Sequence, residues 1–163
     1  MGRNQSKPFA FVLMPFSEEF KDIYELGIKP ACVEAGTTCE RVDEQIFSEN
    51  ILERIYDQIM RADILVAEMT GRNANVFYET GYAHGLGKRV ILLTQDADDI
   101  PFDLRHYPHI VYKGSISTLK SELERRVRWF VERQAESAEP NHSGRGVGET
   151  EGASTMLPII SAS

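Results

Sequence analysis

Residues 62–93 are the part of the sequence that most restricts the fold. Two short apolar runs, at 62–70 and 89–93, are typical of strands that are buried on both faces of a sheet. A polar loop at 71–75 and a segment of helical length at 76–88 lie between them. This order predicts a right-handed crossover that places the loop and the start of the helix at the carboxyl edge of a parallel sheet. Ligands bind at that edge in open α/β folds.

The rest of the sequence supplies three more strands. Residues 9–14 are a continuous apolar run, residues 37–42 alternate between apolar and polar, and residues 109–112 form a short apolar segment. Apolar residues at helical spacing indicate further helices, at 20–35, 50–61 and 117–134. The predicted fold class is therefore α/β: a five-stranded, mostly parallel, doubly wound sheet of the flavodoxin-like type, with strand order 2-1-3-4-5 and helices on both faces. Gly27 and Pro30 predict a kink or a restart in the first helix.

The composition divides the chain into three parts. Residues 1–8 are a polar N-terminal segment and residues 9–134 form the α/β domain. From residue 135 to residue 163 the sequence is rich in Gly, Ser, Glu and Pro without periodicity, which is typical of a disordered tail. The apolar run at 156–160 interrupts this composition. It is either a short docking segment or an accidental run, and accidental runs are the more frequent case.

Charge and cysteine content argue against several classes of protein. The chain has 18 basic and 25 acidic residues, a formal net charge of −7, and no basic stripe, so nucleic acid is not the expected ligand. Cys32 and Cys39 lack metal-ligand and redox spacing, and we expect buried, reduced thiols. Because no signal peptide or membrane-spanning segment is recognisable, the expected location is cytoplasmic, without a membrane partner.

Glu79 is the candidate catalytic residue, in the first turns of the central helix. Asn73 or Asn75 is placed to cap this helix. Backbone N–H groups and the helix dipole favour anions at a helix start, so we expect a phosphate to bind there and the pKa of Glu79 to be lowered. An ionised carboxylate in a cleft suits a nucleophile or the stabilisation of an oxocarbenium-like centre. The alternative is that Glu79 only stabilises the helix, because glutamate is favourable in a first turn.

The candidate binding residues follow strands that end at the same sheet edge. With strand order 2-1-3-4-5, the cleft opens between the first and third strands. Asp43 comes at the end of the second strand, where it suits a ribose hydroxyl or a base edge. The full set of candidate substrate-binding residues is Met14, Pro15, Phe16, Asp43, Thr70, Gly71, Asn73, Asn75 and Tyr78.

Other acidic and histidine residues are interpreted as structural. Asp63 precedes the third strand and is expected at the amino edge, away from the cleft. Glu68 either faces the sheet edge or is buried and paired. His106 and His109 have no carboxylate or cysteine at ligand spacing, so we predict no metal site and no cofactor.

Three segments carry a resemblance to a known family: Phe-Val-Leu-Met-Pro-Phe at 11–16, Ala-Asp-Ile-Leu-Val-Ala-Glu-Met-Thr at 62–70, and residues 78–90 with their Glu-Thr-Gly-Tyr-Ala and Gly-Lys motifs. They resemble the nucleoside 2-deoxyribosyltransferase-like superfamily, and in particular a bacterial branch of it with an Asn-x-Asn-Val-Phe-Tyr-Glu motif. The superfamily is similar in fold to TIR domains. The resemblance implies that Glu79 attacks the anomeric carbon of a small nucleoside or nucleotide and that Phe16 packs on its base. It also implies a homodimer or a higher homo-oligomer.

One position departs from the family pattern. Family members that act on deoxyribosides carry an Asp eight residues before the Ala-Asp aspartate, where it contacts the base and helps to protonate it. This sequence has Ile55 at that position. We therefore expect N-glycosidic bond cleavage or (deoxy)ribosyl transfer on a nucleoside, nucleotide or NAD-like substrate, with the acid for the leaving group unassigned. The alternative is a catalytically inactive nucleotide-sensing or protein-interaction module with a TIR-like fold. Ile55 favours that alternative, whereas Glu79 favours the enzyme.

Overall fold

A computed structural model of the chain describes residues 6–42 and 51–138. Five parallel strands form one sheet in the order β2-β1-β3-β4-β5, which confirms the predicted fold class. The strands are β1 (Phe9–Leu13), β2 (Thr38–Arg41), β3 (Ile64–Glu68), β4 (Val90–Thr94) and β5 (His109–Val111). The α-helices are α1 (Lys29–Glu34), α2 (Ile51–Arg61), α3 (Ala74–Gly85) and α4 (Ile116–Ala138).

The core lies in two layers, one on each face of the sheet. Every residue of β3 and β4 is buried, as their continuous apolar sequences predict. The helices α1 and α4 pack together on one face, with a core that includes Ile28, Leu119 and Leu123. The helices α2 and α3 cover the other face. Cys32 and Cys39 are buried and free, as predicted.

The first helix changes type where the sequence predicts an interruption. A π-helical segment at Ile23–Ile28 leads directly into α1, and Pro30 lies in the first turn of α1. Proline has no backbone N–H to donate to the preceding turn, and the change from π-helix to α-helix lies directly before it. A Cβ atom on Gly27 would lie 2.9 Å from Cδ2 of Leu119, so this glycine permits close packing against α4.

Several expectations about the chain ends need correction or lie outside the described residues. The last helix does not end at Gln134 but continues to Ala138, because glutamine, alanine and glutamate all support a helix. Residues 1–5, 43–50 and 139–163 lie outside the described residues, and the candidate Asp43 and the expected tail are among them. None of the helices in the described ranges is both long enough and apolar enough to span a membrane.

Asp63 fixes the start of β1 at the amino edge of the sheet. Its backbone N–H donates to the carbonyl oxygen of Phe9 at 2.9 Å, and its Oδ2 accepts from the N–H of Phe9 at 2.7 Å. The side chain therefore extends the strand pairing by one charge-assisted hydrogen bond. This position agrees with the structural role expected from the sequence.

We expect Asp63→Ala to lower the free energy of unfolding by about 1 kcal/mol, because it removes the acceptor of the Phe9 N–H. Urea denaturation measures the change as a lower midpoint with an unchanged slope. Asp103→Ala is the matched control, since Asp103 is an exposed aspartate on a single helical turn. Equal midpoints for the two variants would show that water replaces the Asp63 carboxylate as the acceptor of the Phe9 N–H.

Candidate functional site

A cavity of about 490 Å³ opens at the carboxyl edge of the sheet, beside the end of β1. Its volume is in the range of small-molecule sites. The end of β1, the first turns of α2 and the first turns of α3 form its walls. Seven of the residues predicted for the site line this cavity: Met14, Pro15, Phe16, Asn73, Asn75, Tyr78 and Glu79.

The carboxyl group of Glu79 lies half-buried on the wall that α3 forms. Burial raises its pKa to about 7, because removal from water disfavours the charged form. The predicted lowering of this pKa is wrong. Since α3 begins at Ala74, Glu79 lies in the second turn, and the dipole effect falls off within the first turn. The carboxyl group therefore titrates much closer to neutral pH than an ordinary glutamate does.

Asn73, and not Asn75, caps α3. Its Oδ1 accepts from the backbone N–H groups of Asn75 at 3.0 Å and Val76 at 3.2 Å. These two N–H groups already have an acceptor, so they are not the phosphate site expected at the helix start. The side-chain Nδ2 of Asn73 is the part of this residue that remains to contact a ligand.

Thr70 and Gly71 do not line the same cavity as Glu79. They line a neighbouring cavity of about 360 Å³, to which Pro15, Ser17 and Asn73 also contribute. Because those three residues line both cavities, the two spaces adjoin. The predicted binding residues are thus divided between two adjoining spaces rather than gathered in one.

Asp99 holds the turn that leads from β3 into α3. Gly71 and Arg72 have positive φ angles of 76° and 55°, and glycine at the first of these positions avoids the steric penalty. The Oδ2 of Asp99 accepts from the N–H of Gly71 at 2.8 Å, and its Oδ1 lies 3.4 Å from Nε of Arg72. Arg72 also donates to the carbonyl oxygen of Asp98. We call these contacts the Asp99 anchor.

Glu68 is buried and paired, which decides between the two alternatives left open by the sequence. Its Oε1 accepts from the backbone N–H of Thr70 at 2.9 Å and from the Thr70 hydroxyl. Its Oε2 accepts from the hydroxyl of Tyr112 at 2.8 Å. Burial raises the pKa of Glu68 against the effect of these hydrogen bonds. The Thr70 hydroxyl also accepts from the N–H of Gln95 at 2.9 Å, so it is occupied within the protein.

The sequence pointed to one residue of the wall that faces α3 and missed the others. Ile55 of α2, which the resemblance aligns with the family's Asp, lines the cavity, and so do Ile51 and Leu52, for which the sequence indicated only a helix. Tyr56 of the same helix donates a hydrogen bond of 3.1 Å to the hydroxyl of Tyr78, and this bond raises the pKa of Tyr56 to about 12. The signal was present in the sequence, because the helix after β2 passes beside the point where the strand order reverses.

Metal ligation finds no support in the part of the chain that the structure describes. Across residues 6–42 and 51–138, no group of three or more His, Cys, Asp or Glu side chains is placed to hold a metal ion. Apart from Glu79, the described residues that line its cavity are apolar, hydroxyl or amide side chains.

Comparisons with known proteins agree with this fold and identify the family. The chain is similar to the solved structure of a diflavin flavoprotein A3 from Nostoc sp., with 17% sequence identity, a TM-score of 0.56 and coverage of 83% of this chain and all of that one. At this identity the similarity shows the flavodoxin-like fold alone. No curated protein sequence matches the chain. The model of the family Nucleoside 2-deoxyribosyltransferase matches residues 15–144, which include Glu79 and both helices beside its cavity. Because this match covers most of the 163 residues, the chain belongs to the nucleoside 2-deoxyribosyltransferase family.

Proposed function

We propose that the protein cleaves or transfers at the N-glycosidic bond of a nucleoside, nucleotide or NAD-like substrate, with Glu79 as the nucleophile. Membership of the family implies enzymatic glycosyl transfer on a small nucleoside substrate. The observation that carries the choice of residue is the Glu79 carboxyl group on the wall of a cavity of about 490 Å³, with a pKa of about 7. A carboxylate with little hydration is a better nucleophile than one in water.

The reaction proceeds in two steps. In the first, an ionised Glu79 oxygen bonds to the anomeric carbon while the carbon–nitrogen bond breaks and the base leaves with the bonding electrons. In the second, water or the nitrogen of another base attacks the same carbon and releases Glu79. Water as the acceptor gives hydrolysis, and a second base gives transfer.

The residues around Glu79 suit the two halves of such a substrate. Phe16 offers an aromatic face for stacking on the base. Asn73, Asn75 and Tyr78 line the same cavity as Glu79, and in this proposal the Nδ2 of Asn73 and the side chains of Asn75 and Tyr78 orient the sugar. Asp43, proposed from the sequence as the partner of a ribose hydroxyl, remains a proposal from the sequence.

The proposal is tested by incubating the protein with deoxynucleosides, their 5′-monophosphates and NAD, and measuring free base by chromatography. We expect free base from at least one substrate class with the wild type and none above background with Glu79→Gln. Glu53→Gln is the matched control, because Glu53 is an exposed glutamate of α2 that does not line the cavity. Release of base by none of these classes contradicts the proposal.

The pH dependence of the activity follows from the raised pKa of Glu79. Only the ionised form is a nucleophile, so we expect kcat/KM to rise with pH and to level off above about pH 7. A series of initial rates between pH 5 and pH 9, at substrate concentrations well below KM, measures the profile. A rate that falls across pH 7 would instead identify Glu79 as a general acid.

The same pKa predicts a pH-dependent gain of stability for Glu79→Gln. Between its ordinary pKa and about 7, the folded state binds the Glu79 proton more tightly than the unfolded state does. Wild-type stability therefore falls as the pH rises through this range. We expect Glu79→Gln to raise Tm at pH 8 by about 2–4 °C, which corresponds to about 1 kcal/mol, and to leave Tm unchanged near pH 4. Calorimetry at the two pH values, with Glu53→Gln as the reference, measures the difference.

A nucleotide-sensing or protein-interaction module is the second candidate function, and Ile55 favours it. This buried side chain lines the cavity at the position where the resemblance implies an acid that contacts the base. An apolar side chain there can pack against a nucleobase but cannot protonate it. Binding of a nucleoside or nucleotide in calorimetric titrations, without any base release, would support this second function.

A further inference from the structure

An apolar groove framed by arginines lies at the amino edge of the sheet, at the opposite end of the strands from Glu79. Its volume is about 360 Å³, and it is formed where β3, β4 and β5 begin and where the middle turns of α4 pass them. We call it the amino-edge groove. Its lining residues are Ile64, Arg89, Val90, Ile91, Pro108, Arg125, Arg126, Trp129 and Phe130.

Trp129 lines this groove and is the single tryptophan of the chain. Half of its surface is exposed, which is unusual for so large an apolar side chain. The guanidinium groups of Arg133 and Arg89 lie 4.4 Å and 5.8 Å from its ring centroid, and Arg89 also lies 5.0 Å from the ring of Phe130. Apolar surface and positive charge are thus combined in one place.

Two arginines lie beside Trp129: Arg89, which lines the groove, and Arg133, one helical turn beyond it. Arg125 of the groove, like Arg105 and Arg128 elsewhere, lies within 4 Å of a carboxylate oxygen. Arg89 and Arg133 lie on aromatic rings instead, and no carboxylate among residues 6–42 and 51–138 pairs with them. In a chain with a net charge of −7, this groove is complementary to a segment that is both acidic and apolar.

The sequence supplies such a segment in residues 149–160. They read Glu-Thr-Glu-Gly-Ala-Ser-Thr-Met-Leu-Pro-Ile-Ile, so two carboxylates precede an apolar run. Residues 139–148 connect this segment to α4, the helix that lines the groove, and we call them the tether. From Trp129 to Ala138 a helix rises by about 14 Å, and residues 139–148 can span about 33 Å when extended. The tether is therefore long enough for the segment to return to the groove.

We propose that residues 149–160 bind in the amino-edge groove of their own chain, with the carboxylates of Glu149 and Glu151 among its guanidinium groups and the apolar run at 156–160 on Trp129. This interaction is independent of the function proposed for Glu79, because the groove and the Glu79 cavity lie at opposite edges of the sheet. A tether of this length gives a local concentration in the millimolar range, so even weak binding keeps the groove occupied. The segment then covers the exposed face of Trp129.

Trp129 fluorescence in the full chain tests the proposal. Releasing the segment by Glu149→Lys with Glu151→Lys is expected to shift the emission maximum to longer wavelength and to increase acrylamide quenching about twofold. Leu157→Asp with Ile159→Asp is expected to have the same effect. Glu18→Lys with Glu19→Lys is the control, because it makes the same change of charge at two exposed residues outside the groove.

A charge exchange and a dilution series complete the test. In a chain that carries Arg89→Glu, adding Glu149→Lys and Glu151→Lys is expected to lower acrylamide quenching, the opposite of their effect on the wild type. The emission of the wild type is expected to be the same from 1 to 100 μM protein. The proposal is overturned if the Glu149→Lys, Glu151→Lys and Leu157→Asp, Ile159→Asp variants show the same emission and quenching as the Glu18→Lys, Glu19→Lys control. Emission that changes with protein concentration also overturns it, because the segment then comes from a second copy.

Discussion

Glu79→Gln should lower the rate of base release by about 1000-fold or more, the largest effect we expect of any single substitution. Glutamine has the shape of glutamate and keeps the cavity wall in place, but its amide oxygen does not form the ester intermediate. The loss should appear in kcat, whereas substrate affinity should change little, because the ribosyl group still fits beside residue 79. Single-turnover kinetics with the substrate that the panel identifies measure the two effects separately.

The rate and the substrate affinity of Glu79→Gln distinguish a nucleophile from a residue that only shapes the pocket. Glu53→Gln should retain a rate within about twofold of the wild type, since surface substitutions away from a site are nearly neutral. A Glu79→Gln variant that keeps a tenth of the wild-type rate would exclude covalent catalysis by this residue. A variant that loses substrate binding in a titration would show that Glu79 acts on affinity instead.

Glu68→Ala should lower the free energy of unfolding by about 3 kcal/mol, the largest effect we expect on stability. Its carboxyl group is buried and accepts from the backbone and hydroxyl of Thr70 and from the hydroxyl of Tyr112. Removing it leaves those donors in the interior without an acceptor and also leaves a space in the core. Urea denaturation followed by far-UV circular dichroism measures the loss.

The contribution of Tyr112 is separated by a double-mutant cycle. Tyr112→Phe alone should reduce stability by about 1–2 kcal/mol, because it removes a donor and leaves one oxygen of Glu68 unpaired. In the Glu68→Ala background the same change should have a much smaller effect, since the acceptor is already gone. Ser117→Ala, at an exposed position in the first turn of α4, is the control. Additive losses would mean that the two side chains do not interact.

The fold was predictable because its strongest signals are local. The apolar runs that become β3 and β4 are too short for a buried helix and too continuous for a sheet face in water, so they indicate a parallel sheet. The helix between them then fixes a crossover of known handedness. The same reasoning placed Met14, Pro15 and Phe16 beside Glu79, because the carboxyl ends of neighbouring strands meet at one edge.

The properties that depend on distant contacts were harder to predict. The expected pKa of Glu79 was wrong because it considered only the helix dipole, whereas the carboxyl group is partly removed from water by the tertiary fold around it. Thr70 was assigned to ligand binding because the sequence does not show that its hydroxyl is hydrogen-bonded to Glu68 and to the N–H of Gln95. Local patterns thus locate a site, while its charge state depends on tertiary packing.

The Asp99 anchor has a consequence for how a ligand is received. The turn of Gly71 and Arg72 is fixed by a side chain from the segment after β4, so the start of α3 is in place without help from a ligand. Substrate binding therefore need not order this backbone, and the entropy of that ordering is not subtracted from affinity. Under the proposed function the protein is therefore a preorganised receptor, with the Glu79 carboxyl group on the cavity wall before a substrate binds.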